Sequence, residues 1–146
     1  NLHVKPKTSA KRTKAQHEII EADLKKYQIG PDQLAASSEL LHACLPYAEA
    51  DDPSWSAVYE AALDLRPIIG LSNYAWWHAV ETLGRHGAVA LMAYATGSPE
   101  IRSAPAYIRS IADIAASGGI LDLGQKLRKL GRIRAAAGIG GKETIQ

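Results

Sequence analysis

Residues 65–77 read LRPIIGLSNYAWW and hold two helix-ending signals followed closely by a helix-starting one. Pro67 lacks a backbone N–H and should end a helix within about one turn, and Gly70 supplies the residue common after a helix end. Ser72 is a typical N-cap, and Trp76 follows at the spacing of a buried helix face. The stretch therefore predicts a sharp corner between two helices, with an indole buried at the corner.

The segments on both sides of this corner predict an all-α fold. Apolar residues recur three and four positions apart, and no segment alternates with period two over five or more residues, so strands are not expected. The predicted helices cover residues 13–28, 31–45, 53–69, 72–83, 88–96, 103–117 and 122–137. Because residues 88–96 are almost wholly apolar, that helix should run through the centre of the molecule. We expect a compact bundle of six or seven short helices.

The predicted domain organisation is a single helical domain between two short terminal segments. Residues 1–12 lack apolar periodicity and are rich in cations, which is typical of a flexible basic arm or the end of a linker. The helical domain should span residues 13–137, and residues 138–146 should form a flexible tail. The chain begins at Asn1 rather than methionine, which we interpret as a fragment or processed form whose upstream part is missing.

Composition places the chain among folded, soluble proteins. Apolar residues make up 47% and charged residues 22% of the 146 residues, close to globular averages. The single cysteine, Cys44, cannot form an internal disulfide, which fits a reducing cytosol. No stretch approaches the roughly 18 consecutive apolar residues of a membrane span. We expect a cytoplasmic protein without membrane contacts.

Motifs that carry catalytic or metal chemistry are weak in this sequence. Glu39 and His42 have the i, i+3 spacing of di-metal carboxylate bundles, but the further ligands of such a site are missing. His78 and Glu81 show the reverse spacing and are interpreted as a surface pair. No glycine-rich segment is followed by the lysine and hydroxyl residue of a P-loop. We expect that the protein is not an enzyme and that it binds no metal, no cofactor and no small-molecule substrate.

The distribution of charge is more informative than the net charge of +2. Between Glu18 and Asp64 there are ten acids against only Lys25 and Lys26, whereas both ends of the chain are basic. Clustered cations favour nucleic acid, because phosphate contacts release counterions. The alternative is that these cations are solvated and only keep the protein soluble. The candidate DNA phosphate contacts are Lys11, Arg12, Lys14, Lys126, Lys129, Arg132 and Arg134.

Trp77 is a candidate protein interface residue. It lies about 100° around the helix from the predicted core residue Trp76, at the edge of the buried face or outside it. An exposed indole is a common anchor of protein interfaces, although a position at the boundary of the core is an equally good interpretation.

Several elements in this order resemble the C-terminal region of the RepC family of plasmid replication initiators. The elements are LHACLP at 41–46, Trp55, residues 66–72 with Trp76, the alanine-rich residues 88–95, and SAPAYIR at 103–109. The resemblance covers about residues 40–125. The chain departs from the pattern at Leu71, Asn73, Trp77 and Ala106, and in the basic tail after Lys126.

The resemblance implies a non-catalytic accessory domain of a bacterial, plasmid-associated initiator. Such a domain would support origin-dependent replication by self-association, by contact with host replication proteins or by non-specific contact with plasmid origin DNA in the full protein. In this family the main origin-reading element is thought to lie in the N-terminal half, which we expect to be missing here. The alternative is a free-standing helix-turn-helix regulator, with residues 69–72 as the turn and the helix after Ser72 as the reader.

Overall fold

The computed structural model describes residues 7–138, and it describes side chains from residue 13 onward. The described residues form seven α-helices and one short 3-10 helix, without a strand, so the predicted all-α fold is confirmed. The helices are α1 (Lys7–Lys26), α2 (Pro31–Ser37), α3 (Glu39–Ala43), α4 (Trp55–Ile68), α5 (Asn73–Gly97), α6 (Ala104–Ala116) and α7 (Leu123–Ala136). The 3-10 helix spans Tyr47–Glu49.

Helix α1 begins at Lys7, six residues before the predicted start at residue 13. Residues 7–12 are therefore its first turns rather than part of an arm. These residues contain no apolar stripe, but lysine, arginine and alanine have high intrinsic helix propensity. The remainder of the predicted arm, residues 1–6, lies outside the described residues, as do residues 139–146 of the predicted tail.

The segment predicted as one helix over residues 31–45 is two helices, separated at Ser38. The Ser38 hydroxyl accepts a hydrogen bond from the Leu41 backbone N–H at 3.1 Å and so caps α3. The same hydroxyl lies 2.7 Å from the Thr96 hydroxyl of α5, and Ser38 is fully buried. A side chain built on Gly97 would place its Cβ 1.9 Å from the Ser37 carbonyl oxygen. The break thus occurs where the end of α5 contacts α2.

The corner around residues 65–77 has the predicted architecture. Helix α4 ends at Ile68, directly after Pro67, and Gly70 has a φ of 79°. Ser72 caps α5 by accepting a hydrogen bond from the Ala75 N–H at 3.1 Å. Trp76 is fully buried in the core. At its other end α4 is capped by Ser54 and begins at Trp55, two residues after the predicted start at residue 53.

The two helices predicted over residues 72–83 and 88–96 form one element, α5, with a single interruption where the break was predicted. Gly84 has φ 82° and ψ 167°, which interrupts the helical conformation within the span Asn73–Gly97. On the far side of Gly84, every residue from 87 to 93 is buried. The central position predicted for this apolar segment is confirmed. The other helices, including α1, α4, α6 and α7, pack around α5.

Candidate nucleic-acid interface

Helix α7 turns one face to the core and the other to solvent. Its buried side chains include Leu123, Leu127 and Leu130, which recur at helical spacing. Its N-terminal turn is fixed by α1, because an Asp23 carboxylate oxygen accepts a hydrogen bond from the Gly124 N–H at 2.7 Å. The basic residues between the leucines consequently point away from the core.

Two arginines of α7 make contacts within the fold. The Arg128 guanidinium donates hydrogen bonds to the carbonyl oxygens of Tyr27 and Gln28 at the end of α1. The Arg134 guanidinium donates to the Ala36 carbonyl at 3.2 Å and lies 3.7 Å from a Glu39 carboxylate oxygen. The Arg134 side chain is only 11% exposed. Arg134, a predicted phosphate contact, therefore binds the end of α2 within the fold.

The other predicted cations of α7 have no such contacts. Lys129 and Arg132 are exposed, and Lys126 is half-buried. Among the residues whose side chains are described, none forms an ion pair or a side-chain hydrogen bond with these three. Three of the four phosphate contacts predicted on this helix thus lie together, with their charges available to a polyanion.

The predicted N-terminal contacts lie elsewhere. The side chains of Lys11 and Arg12 fall outside the described ones, and Lys14 is exposed on α1. Helix α1 contacts α7 near Asp23 and Tyr27. Lys14 is nine residues before Asp23, about 14 Å along the helix axis. The structure therefore does not bring Lys14 to the cationic face of α7.

Lys26 is a cation near α7 that the sequence analysis did not select. It lines a cleft with Arg128 and Arg132, and its ammonium lies 5.5 Å from the centre of the Tyr27 ring. Lys25 and Lys26 were grouped with the acidic third of the chain because most of their neighbours in sequence are acids. Their place in the last turn of a helix, where cations favour the helix dipole, was the available signal.

The two tryptophans of the corner differ as predicted. Trp76 is fully buried, whereas Trp77 is 48% exposed. Tyr74, one turn earlier, is 82% exposed and lines a groove of about 490 Å³ between α1, α5 and α6. Ile19, also exposed, lines the same groove. The first half of α5 therefore presents aromatic surface to solvent.

Three residues of the candidate metal and acid–base pairs contact groups outside those pairs. His42 lies 3.2 Å from the Ala50 carbonyl, whereas Glu39 lies beside Arg134. The His78 ring nitrogen lies 3.2 Å from an Asp113 carboxylate oxygen of α6. In the described part of the chain, no three His, Cys, Asp or Glu residues are grouped so that they could hold a metal ion.

The single thiol of the chain lies in a setting that disfavours the thiolate. Burial raises the pKa of Cys44, and the Asp64 carboxylate raises it further. A raised pKa keeps the thiol protonated at neutral pH, and the protonated form is a poor nucleophile.

These features define a class, that of an all-helical domain with exposed cations on its last helix and exposed aromatic side chains on its longest one. Residues 34–135 match the sequence family described as the replication protein C C-terminal region, and the chain belongs to this family. Membership gives it a role in plasmid replication and confirms the resemblance that the sequence predicted. No curated protein and no solved structure matches the chain. No helix in residues 7–138 is long and apolar enough to cross a membrane.

Proposed function

We propose that this chain is a non-catalytic accessory domain of a plasmid replication initiator, and that it contacts DNA non-specifically through α7. The observation that carries the proposal is that the cations of this helix fall into two groups. Arg128 and Arg134 make hydrogen bonds within the fold, whereas Lys126, Lys129 and Arg132 have no partner among the described side chains. Cations left without protein partners on one helix face suit the phosphates of DNA.

The proposed protein–protein contact is the aromatic surface of α5. Trp77 and Tyr74 are exposed on the helix whose other half forms the centre of the core. Aromatic residues are enriched in the energetically important parts of protein interfaces. We assign this surface to self-association or to a host replication protein, within the cytoplasm of a plasmid-bearing bacterium.

A helix-turn-helix regulator is less well supported than an accessory domain. In that alternative α5 would enter the major groove after the turn at Gly70. Its exposed residues before the break at Gly84 are Asn73, Tyr74, Trp77 and Glu81, and none is a cation. A helix that carries an acid and no flanking cation is a poor fit to a groove bordered by phosphates.

A titration tests the DNA part of this proposal. The chain is titrated with a duplex from the plasmid origin and with a random duplex of equal length, at 50 mM and 150 mM NaCl. We expect equal, weak affinities for both duplexes and a steep fall between the two salt concentrations. A preference of about a thousandfold for the origin duplex would contradict the accessory role and favour the regulator.

Mass measurement tests the protein part, by light scattering over a range of concentrations. If the aromatic surface mediates self-association, the Trp77→Ala variant should shift the protein toward the monomer mass. The Ile120→Ala variant is the control, because Ile120 is 89% exposed on the loop between α6 and α7. A monomeric wild type would leave a host replication protein as the partner of this surface. That assignment fails if Trp77→Ala supports plasmid replication in cells as well as Ile120→Ala does.

A further inference from the structure

A cleft of about 360 Å³ lies where the end of α1 meets α7. Lys26, Tyr27 and Gln28 line one wall, and Gln125, Arg128 and Arg132 of α7 line the other. None of the six is an acid. Gln125, Arg128 and Arg132 follow one another at the i, i+3, i+7 spacing of a single helix face. The cleft therefore gathers cations and amides from two helices that are about a hundred residues apart in the sequence.

Hydrogen bonds between the helices fix the shape of this cleft. Arg128 crosses it and donates to the carbonyl oxygens of Tyr27 and Gln28. Asp23, one turn before Lys26, is engaged with the Gly124 N–H. A side chain on Gly124 would place its Cβ 2.7 Å from the Tyr27 ring, so the two helices are in close contact here. Lys26 and Arg132 are left as the cations that can meet a ligand.

Gln28 adopts a backbone conformation that favours glycine. Its φ is 57°, and it is the one non-glycine residue in the described part of the chain with a positive φ. The end of α1 has the bonds of a glycine-terminated helix, with Gln28 N–H to Lys25 oxygen at 3.0 Å and Ile29 N–H to Leu24 oxygen at 2.9 Å. After α4, α6 and α7 the residue with positive φ is a glycine, at positions 70, 118 and 138. A side chain at position 28 is conformationally unfavourable, yet it lines the cleft.

We propose that this cleft binds a phosphodiester group of duplex DNA, with Lys26 and Arg132 supplying charge and Gln28 and Gln125 supplying amide donors. Lysine, arginine and glutamine are all common phosphate ligands in protein–DNA complexes. The inference rests on the proposed function and extends it. The site is completed by α1, which precedes the family match over residues 34–135.

The experiment measures binding of a fluorescent 16-base-pair random duplex to the whole chain by anisotropy, at several salt concentrations. The variants are Lys26→Ala, Arg132→Ala and Gln28→Gly. Arg109→Ala is the matched control, because it also removes an exposed cation from a helix, but Arg109 lies on α6 and does not line the cleft. Thermal unfolding of each variant is recorded in parallel.

Lys26→Ala and Arg132→Ala should each weaken binding about 3- to 10-fold and reduce the magnitude of the log–log salt slope by about 0.9, whereas Arg109→Ala should change both less. Gln28→Gly should weaken binding while raising Tm by about 1 to 4 °C, because glycine relieves the left-handed residue. A merely structural role for Gln28 would raise Tm and leave binding unchanged.

Two results would overturn the inference, and they differ in what they say about DNA contact. If the wild type binds and Lys26→Ala, Arg132→Ala and Gln28→Gly bind like Arg109→Ala, the cleft is wrong and DNA contact by the domain stands. If the wild type shows no salt-dependent binding at 50 mM NaCl, DNA contact by the domain fails, and the cleft fails with it.

Discussion

The second half of α5 and the whole of α7 pack in the same bundle but differ in their exposure to solvent. Residues 87–93 of α5 are all buried, whereas α7 buries a stripe of leucines and exposes cations between them. A helix surrounded on all sides can hardly accept a polar substitution without loss of stability. A helix buried on one side can accept different residues on its outer face. On that face, charged side chains that have no partner within the fold indicate a binding surface.

The largest difference in stability between variants of the two helices should be seen when a core side chain of α5 is removed. Leu91→Ala removes a fully buried side chain and should lower the free energy of unfolding by about 2–5 kcal/mol. Ile133→Ala on α7, where the side chain is 48% exposed, should cost less than about 1 kcal/mol. Urea unfolding of both variants measures the two values. Equal losses would show that α7 is as fully packed as α5.

A glycine-to-alanine substitution should destabilise the protein in α5 and stabilise it in α7. Gly97→Ala in α5 would push a methyl group into the Ser37 carbonyl and should cost about 3 kcal/mol or more. Gly131→Ala in α7 meets nothing within 4 Å and should stabilise the helix by about 0.5–1 kcal/mol. Thermal unfolding of the two variants reports the signs. Destabilisation by Gly131→Ala would mean that the outer face of α7 is more crowded than the structure shows.

Within α7, alanine substitutions of two neighbouring cations should differ in their effect on the free energy of unfolding. Arg128→Ala leaves the carbonyl groups at the end of α1 without their donor and should cost about 1–3 kcal/mol. Lys129→Ala is expected to stay within about 0.5 kcal/mol of the wild type. Unfolding in urea distinguishes them. A loss of comparable size for Lys129→Ala would assign that lysine to the fold and remove it from the proposed DNA face.

The parts of the fold that the sequence predicted are those with local causes. The corner at Pro67, Gly70 and Ser72 depends on a missing donor, a permissive glycine and a capping hydroxyl, all of which act within a few residues. The early start of α1 was missed because residues 7–12 have no apolar stripe, although their helix propensity is high. The break at Ser38 was missed, although serine is a capping residue, because the burial of Ser38 against Thr96 depends on packing between segments that are distant in sequence.

The residues of the candidate site also fall into those predicted from local spacing and those that depend on tertiary packing. Amphipathic spacing was sufficient to place Lys129 and Arg132 on an outer face. It could not separate them from Arg134, whose partners Ala36 and Glu39 are about a hundred residues away. The sequence shows Lys26 at a helix end, but it does not show that this helix end lies beside α7. Gln28 could not be found from the sequence, because its place in the cleft depends on tertiary packing.

The central claim, that the exposed cations of α7 contact DNA and those bound within the fold do not, is tested most directly by one salt titration. The binding constant for a random duplex is measured against NaCl concentration for the wild type and for the variant with both Lys129→Gln and Arg132→Gln. The account predicts an unchanged Tm and a log–log slope smaller in magnitude by about 1.8, as expected for the loss of two phosphate contacts. An unchanged slope with an unchanged Tm would contradict it.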